Sequence, residues 1–137
     1  MKKIMFVCTG NSARSQMAEG WAKILSRGKW EVYSAGLEPK GVNPKAIRVM
    51  QEVGINISNQ KSKSIDYKLM KEMDVIVTLC DNAKESCPVT PPHIKTFHWS
   101  LPDPAAATGS EEKVGQVFRL VRDEIKSRME KLLSLKA

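Results

Sequence analysis

The stretch Cys8 to Ser15, CTGNSARS, joins a thiol to a guanidinium through small and polar residues. It follows the apolar run Lys3 to Val7 and precedes an amphipathic segment, which predicts a strand, a tight loop and a helix start. A loop at a helix N-terminus turns backbone N–H groups toward one point, where the helix dipole adds about half a positive charge. An oxyanion suits such a place. Gly10 would let the backbone approach it closely, and Asn11 is a residue type that tolerates a left-handed conformation. Arg14 supplies a planar fork that can grip two oxygens of a phosphate-like group. Cys8 falls where this field converges, in surroundings of the kind that favour a nucleophilic thiolate, and Ser15 can hydrogen-bond its sulfur. Cys8, Arg14 and Ser15 are therefore candidate catalytic residues, and Thr9, Gly10, Asn11, Ser12, Ala13 and Arg14 a candidate oxyanion cradle. A buried strand-end cysteine beside a surface arginine is the competing interpretation, and it leaves the Gly, Asn and Ser between them without a purpose. The nucleotide-binding phosphate loop is excluded, because its GK[ST] ending is absent.

Two further thiols, Cys80 and Cys87, complete a set of three. If the segment between them were helical, their α-carbons would stand about 10 Å apart. A disulfide needs them within about 7 Å, so oxidation would force the segment out of helix and couple redox state to loop shape. Cys80, Cys87, His93 and His98 have the right count for tetrahedral zinc, but six residues separate the cysteines where two to four are usual, and no metal site is assigned. His98, beside Trp99 on a strand, reads as structural. Asp103 lies between Pro102 and Pro104, which fix the direction of its carboxyl group. If that group reaches the anion site it can protonate a departing oxygen.

These residues need a scaffold that gathers them. At 137 residues the chain is long enough for one domain, residues 1–137, to bury a sizeable core without disulfide staples. Nothing approaches a membrane-spanning length, no targeting segment is recognised, and a cytoplasmic protein with reduced thiols is expected. The net charge of +7 is dispersed rather than gathered with aromatics, which suits small anions and gives no sign of nucleic acid or membrane as partner. Met17, Ala18, Trp21, Ile24 and Leu25 recur at helical spacing in a helix from Ser15 to Ser26, and Trp30 to Ala35 alternates as a strand. Asn43 and Pro44 open a helix with Ala46, Val49, Met50 and Val53 on one face. Ser64 is expected to cap a short helix carrying Ile65, Leu69 and Met73. Asp74 to Leu79 and Ile94 to Ser100 read as strands, the first apolar enough to be buried on both faces of a parallel sheet. A long helix follows from Glu111 to Leu135, with Val114, Val117, Val121, Ile125, Met129 and Leu132 inward. Alternating strands and helices predict a doubly wound α/β domain, in which ligands bind beyond the carboxyl ends of the strands. Cys8, Cys80 and Asp103 each follow a strand and should meet at that edge.

The chain resembles the thioredoxin-coupled arsenate reductases, built on the scaffold of the low-molecular-weight protein tyrosine phosphatases. The resemblance spans nearly the whole length: CTGNSARSQMAEGWA at Cys8 to Ala22, VYSAG at Val32 to Gly36, GVNPKAI at Gly41 to Ile47, VTLC ending at Cys80, CPVTPP at Cys87 to Pro92, HW at His98 and Trp99, DPA at Asp103 to Ala105, and RLVRDEI near the end. It implies a single domain with a four-stranded parallel sheet of order 2-1-3-4 flanked by helices. It also implies a relay in which Cys8 attacks arsenate, Cys80 attacks Cys8 and releases arsenite, and Cys87 moves the disulfide to a Cys80–Cys87 pair that external thioredoxin reduces. Ser15 would support the thiolate and Asp103 the loss of oxygen. No prosthetic group is implied, and a monomer is expected. Two departures stand out. Ala13 replaces a cysteine carried by many relatives. Lys61 and Lys63 stand near where some relatives place oxygen-bearing side chains that help bind a potassium ion, so a lysine ammonium near Asn11 and Glu19 could replace that ion. The alternative function is phosphomonoester hydrolysis, which needs only the Cys8 to Ser15 loop and Asp103. The phosphatase relatives favour tyrosines after the DP pair, where Ala105, Ala106 and Ala107 stand here. A non-catalytic thiol sensor would leave the anion loop without a role.

Overall fold

The computed structural model describes residues 2–79 and 92–136, so Cys80 and Cys87 lie outside the described residues. The elements in chain order are β1 (Lys2–Cys8), α1 (Arg14–Leu25), β2 (Trp30–Gly36), α2 (Pro44–Gln51), α3 (Tyr67–Met70), β3 (Val75–Thr78), β4 (Lys95–His98), a 3-10 turn (Pro104–Ala106) and α4 (Glu111–Lys136). The four strands form one parallel sheet in the order β2-β1-β3-β4, as expected.

Its register explains the site. Cys8 pairs with Gly36 at the end of β2, and Val7 pairs with Thr78 at the end of β3, which itself pairs with His98 at the end of β4. All four strands therefore finish along one edge, and parallel order brings the loops that follow them together. β1 and β3 are central strands, and Ile4 to Cys8 and Val75 to Thr78 are buried throughout. The β-branched VIVT run owes its lack of alternation to cover on both faces.

α1 packs against β1, β2 and α4, and α2 against α1 and α4. Asn43 caps α2 by accepting from the Lys45 amide at 2.8 Å, with Pro44 in the first turn. Trp21 is buried, and its Nε1 donates to the Arg122 carbonyl at 3.1 Å, which ties α1 to α4.

Four sequence expectations need correction. Ser64 does not cap a helix; it bridges to Gly36, and Asp66 caps α3 instead by accepting from the Leu69 amide. In α4 Phe118 is fully buried where Val117 is only partly so, because the elements packed on α4 decide which of the positions three and four residues after Val114 lies inward. Ile24 and Val53 are exposed although Ser26 and Ile55, two residues further along each segment, are buried, so each points away from the core face of its segment.

Between α2 and α4 lies an ionic clamp. The Glu52 carboxylate accepts from Arg119 Nε and Nη2 at 2.9 and 2.8 Å and from Arg122 Nη1 at 2.9 Å. Hydrogen bonds from Arg119, joined by Arg122, outweigh desolvation and hold the Glu52 pKa down at about 2. A carboxyl whose folded pKa is depressed stabilises the fold fully above its unfolded value and loses that contribution as pH falls through the folded one. Glu52→Gln should cost about 1 kcal/mol at neutral pH, a value discounted for the exposure of the clamp. In urea titrations this difference from the parent protein should stay constant above pH 5 or so and shrink steadily between about pH 4.5 and pH 2.

Candidate active site

β1 hands the chain to the loop at Cys8, and the loop is held from behind. Carbonyls of Cys8, Thr9, Gly10 and Ser12 accept from the amides of Leu37, Glu38, Lys40 and Asn43 at 2.8 to 3.2 Å. The negative ends of these peptide dipoles are thus directed into the 37–43 segment rather than toward a bound anion. Asn11 takes the left-handed conformation expected of it, at φ 45°. Gly36, at the end of β2, was not singled out by sequence. A β-carbon there would stand 2.7 Å from the Asn11 nitrogen and 2.9 Å from the Thr9 oxygen, so only glycine lets β2 lie this close to the loop.

Behind the loop runs a chain of hydrogen bonds whose directions can be assigned. Asn11 Nδ2 donates to Ser15 Oγ at 2.7 Å and to Ser34 Oγ at 3.0 Å. Ser34 Oγ donates in turn to Glu19 Oε1, and Ser15 Oγ lies 2.9 Å from Cys8 Sγ. Since Ser15 already accepts from Asn11, its hydroxyl proton is free to point at the sulfur. Asn11 Oδ1 accepts from the Lys63 amide at 2.8 Å. The Asn11 side chain therefore faces away from the anion side; of the candidate cradle, Thr9, Gly10, Ser12, Ala13 and Arg14 line the cavity and Asn11 props them.

At the far end Glu19 is buried and faces two ammonium groups. Lys23 Nζ bonds Glu19 Oε2, and Lys63 Nζ lies 3.8 Å from Glu19 Oε1 while donating to the Lys61 carbonyl. Desolvation pulls the Lys63 pKa below the ordinary lysine value, partly opposed by the charge of Glu19. The Glu19 carboxylate is thus already faced by two lysine ammonium groups. Lys63 contributes its charge there, whereas Lys61 contributes its backbone oxygen.

In front of the loop is a cavity of about 150 Å³ lined by Cys8, Thr9, Gly10, Ser12, Ala13, Arg14, Lys40, Asp103 and Ala105. Arg14 is buried at the start of α1; its Nη1 donates to the Leu101 carbonyl at 3.1 Å and its Nη2 lies 3.6 Å from Asp103 Oδ2. Asp103 is oriented in turn by accepting from the Ala105 amide at 3.0 Å through its other oxygen. The loop after β4 thereby delivers a carboxyl group to the same hollow as the thiol. Lys40 is a lining residue that sequence reasoning missed, because a lone lysine between Pro39 and Gly41 carries no pattern. His98 Nδ1 sits 2.8 Å from Thr78 Oγ1 across the β3–β4 pair, a structural contact, and His93 is exposed in a turn. Among the described residues no group of His, Cys, Asp or Glu could hold a metal ion, and no helix is long and apolar enough to cross a membrane.

Residues 3–137 match the low molecular weight phosphotyrosine protein phosphatase family. An arsenate reductase of Bacillus subtilis (strain 168) is 55% identical over 128 residues, covering 93% of this chain and 92% of its own. A solved arsenate reductase in the phosphate binding state superposes with a TM-score of 0.81 at 43% identity over 100% of both chains. A low molecular weight protein tyrosine phosphatase from T. tengcongensis superposes at 0.83 with 26% identity, over 98% of this chain and 99% of its own.

Two outcomes follow from the back of the loop. Gly36→Ala should cost about 1–3 kcal/mol in denaturant titrations and weaken phosphate binding, since the added carbon must displace loop backbone. Exchanging sodium for potassium at constant ionic strength should leave turnover unchanged; a strong and specific potassium activation would show that Lys63 is not the cation serving Glu19.

Proposed function

The chain belongs to the low molecular weight phosphotyrosine protein phosphatase family, and from that premise we propose that it is an arsenate reductase that turns over through Cys8, Cys80 and Cys87. The observation that carries this reading is the single cavity in which the Cys8 thiol, the Arg14 guanidinium and the Asp103 carboxyl meet, with the relatives named arsenate reductase matching along nearly the whole chain.

In the proposed reaction arsenate enters the cavity with its oxygens toward the loop amides and Arg14. Cys8 Sγ, supported by the Ser15 hydroxyl, attacks arsenic, and an oxygen leaves as water with a proton from Asp103. Cys80 as thiolate then attacks Cys8 Sγ. The sulfur–arsenic bonding pair departs with arsenic, which is thereby reduced by two electrons and leaves as arsenite, while a Cys8–Cys80 disulfide forms. Cys87 attacks Cys80 Sγ, freeing Cys8 as thiolate and leaving a Cys80–Cys87 disulfide, which external thioredoxin reduces. Net, one arsenate and two thiols give one arsenite, one disulfide and one water.

The end of β3 supports this sequence of events. The Leu79 amide donates to the Val7 carbonyl at 2.9 Å, so the chain leaves the described sheet one residue before Cys80 at the level of the residue before Cys8. The family scaffold and the same three groups also favour slow phosphomonoester hydrolysis as a second activity. Ala105 and Ala106, in the turn after Asp103, offer no aromatic wall to an aryl ester, which argues for a minor one. The reductant acts from outside, and no resident cofactor enters the reaction.

The decisive measurement is arsenate-dependent NADPH oxidation in the presence of thioredoxin and thioredoxin reductase, set beside hydrolysis of an aryl phosphate. Cys80→Ser and Cys87→Ser should each abolish reductase turnover and leave the slow hydrolysis intact, whereas Cys8→Ser should abolish both. Hydrolysis without arsenate-dependent oxidation would instead identify a phosphatase.

A further inference from the structure

Four ionisable side chains line the cavity: Cys8, Arg14, Lys40 and Asp103. With Cys8 as thiolate and Asp103 ionised, the one guanidinium leaves the hollow net negative, which repels an incoming oxyanion. With Asp103 protonated to act as an acid, the hollow is only neutral. Arg14 is moreover not fully available, since Asp103 Oδ2 lies 3.6 Å from its Nη2 and the Leu101 carbonyl takes its Nη1. Arsenate and phosphate carry two charges above their second ionisation. The loop amides and the dipole of α1 offset part of that charge, and Lys40 is the remaining cation at the cavity.

Its backbone is anchored to the loop, while its side chain is exposed. The Lys40 amide donates to the Gly10 carbonyl at 2.9 Å, and its side-chain stem lies along Gly10, with Cγ and Cδ 3.6 and 3.5 Å from where a β-carbon of Gly10 would stand. The lysine stem thus runs past Gly10 at ordinary van der Waals distance on its way to the cavity. Among the described residues the Lys40 ammonium makes no ion pair. Lysine heads commonly stay solvated while their stems cover the surface beneath, and Lys40 is an exposed residue in the lining of the cavity.

We propose that Lys40 is a substrate-binding residue that selects the doubly charged form of the oxyanion over the singly charged form. This rests on the oxyanion reading of the cavity given above. Lys40 acts on entry and binding and takes no part in bond making. A charge at the cavity mouth should affect a dianion about twice as strongly as a monoanion, because the Coulomb energy scales with the product of charges.

Phosphate, which cannot be reduced by thiols, is the probe. Its affinity for the fully reduced protein is measured by titration calorimetry at about pH 6 and about pH 8, either side of its second ionisation. The protein as found should bind more tightly at the higher pH. Lys40→Met keeps the stem on Gly10 but removes the charge; it should weaken binding about tenfold at the higher pH and much less at the lower. Lys40→Arg should restore most of the loss. Arg48→Ala makes the same change in net charge beside a neighbouring cavity lined by Lys45, Arg48 and Phe118, and should leave the affinity near that of the parent. In the coupled assay Lys40→Met should raise KM for arsenate with little change in kcat. An unchanged pH profile in Lys40→Met, or an equal loss in Arg48→Ala, would overturn the proposal, the latter by assigning the effect to overall charge. Failure of the parent protein to bind phosphate at either pH would instead remove the oxyanion reading of the cavity, and the role of Lys40 with it.

Discussion

One buried amide governs the geometry of this site. Asn11 is inaccessible to solvent, sits in the left-handed region, and uses its side-chain hydrogens on Ser15 and Ser34 and its oxygen on the Lys63 amide. Its own carbonyl accepts from Gln16 Nε2 at 3.0 Å. A buried polar group left unsatisfied costs about 1–3 kcal/mol, so these partners fix the loop in one shape. That shape determines where the Cys8 sulfur stands and which way the Ser15 proton points.

Two ends are served by this amide, the Glu19 carboxylate through Ser34 and the Cys8 sulfur through Ser15. Donors point outward from the centre in both directions. Glu19 would be an expensive buried charge were it not met by the Ser34 hydroxyl and two lysine ammonium groups. The cations behind the loop are thus spent on holding it, and those in front of it, Arg14 and Lys40, face the cavity. A chain with a net charge of +7 and no concentrated basic block uses part of its excess in this way on either side of one loop.

The parallel sheet does the gathering. Cys8, the Leu79 amide and Asp103 come from three different strand ends, and only a common carboxyl edge makes them neighbours. The Glu52 clamp and the Trp21 to Arg122 bond brace the helices that back this edge. The reacting groups themselves are left on loops.

Local chemistry made much of this legible in the chain. A strand, a glycine-bearing turn, an arginine and a helix start are contiguous, and Asn43–Pro44 and the VIVT run carry their own capping and burial signals, so periodicity and residue type alone determined the α/β class and the nucleophile loop. What the tertiary structure decided depends on residues far apart in sequence. That Gly36 must lack a β-carbon is a matter of its distance to Asn11, that Lys40 lines the cavity depends on the bond of its amide to the Gly10 carbonyl, and that Ser34 links Asn11 to Glu19 depends on β2 lying beside β1. The same holds for the errors: Ser64 looked like a cap until its bridge to Gly36 claimed it, and Phe118 displaced Val117 because the opposing elements decide which face of a helix is inward. Propensity and spacing act over a few residues, whereas contact across a sheet edge is created only when the chain closes on itself.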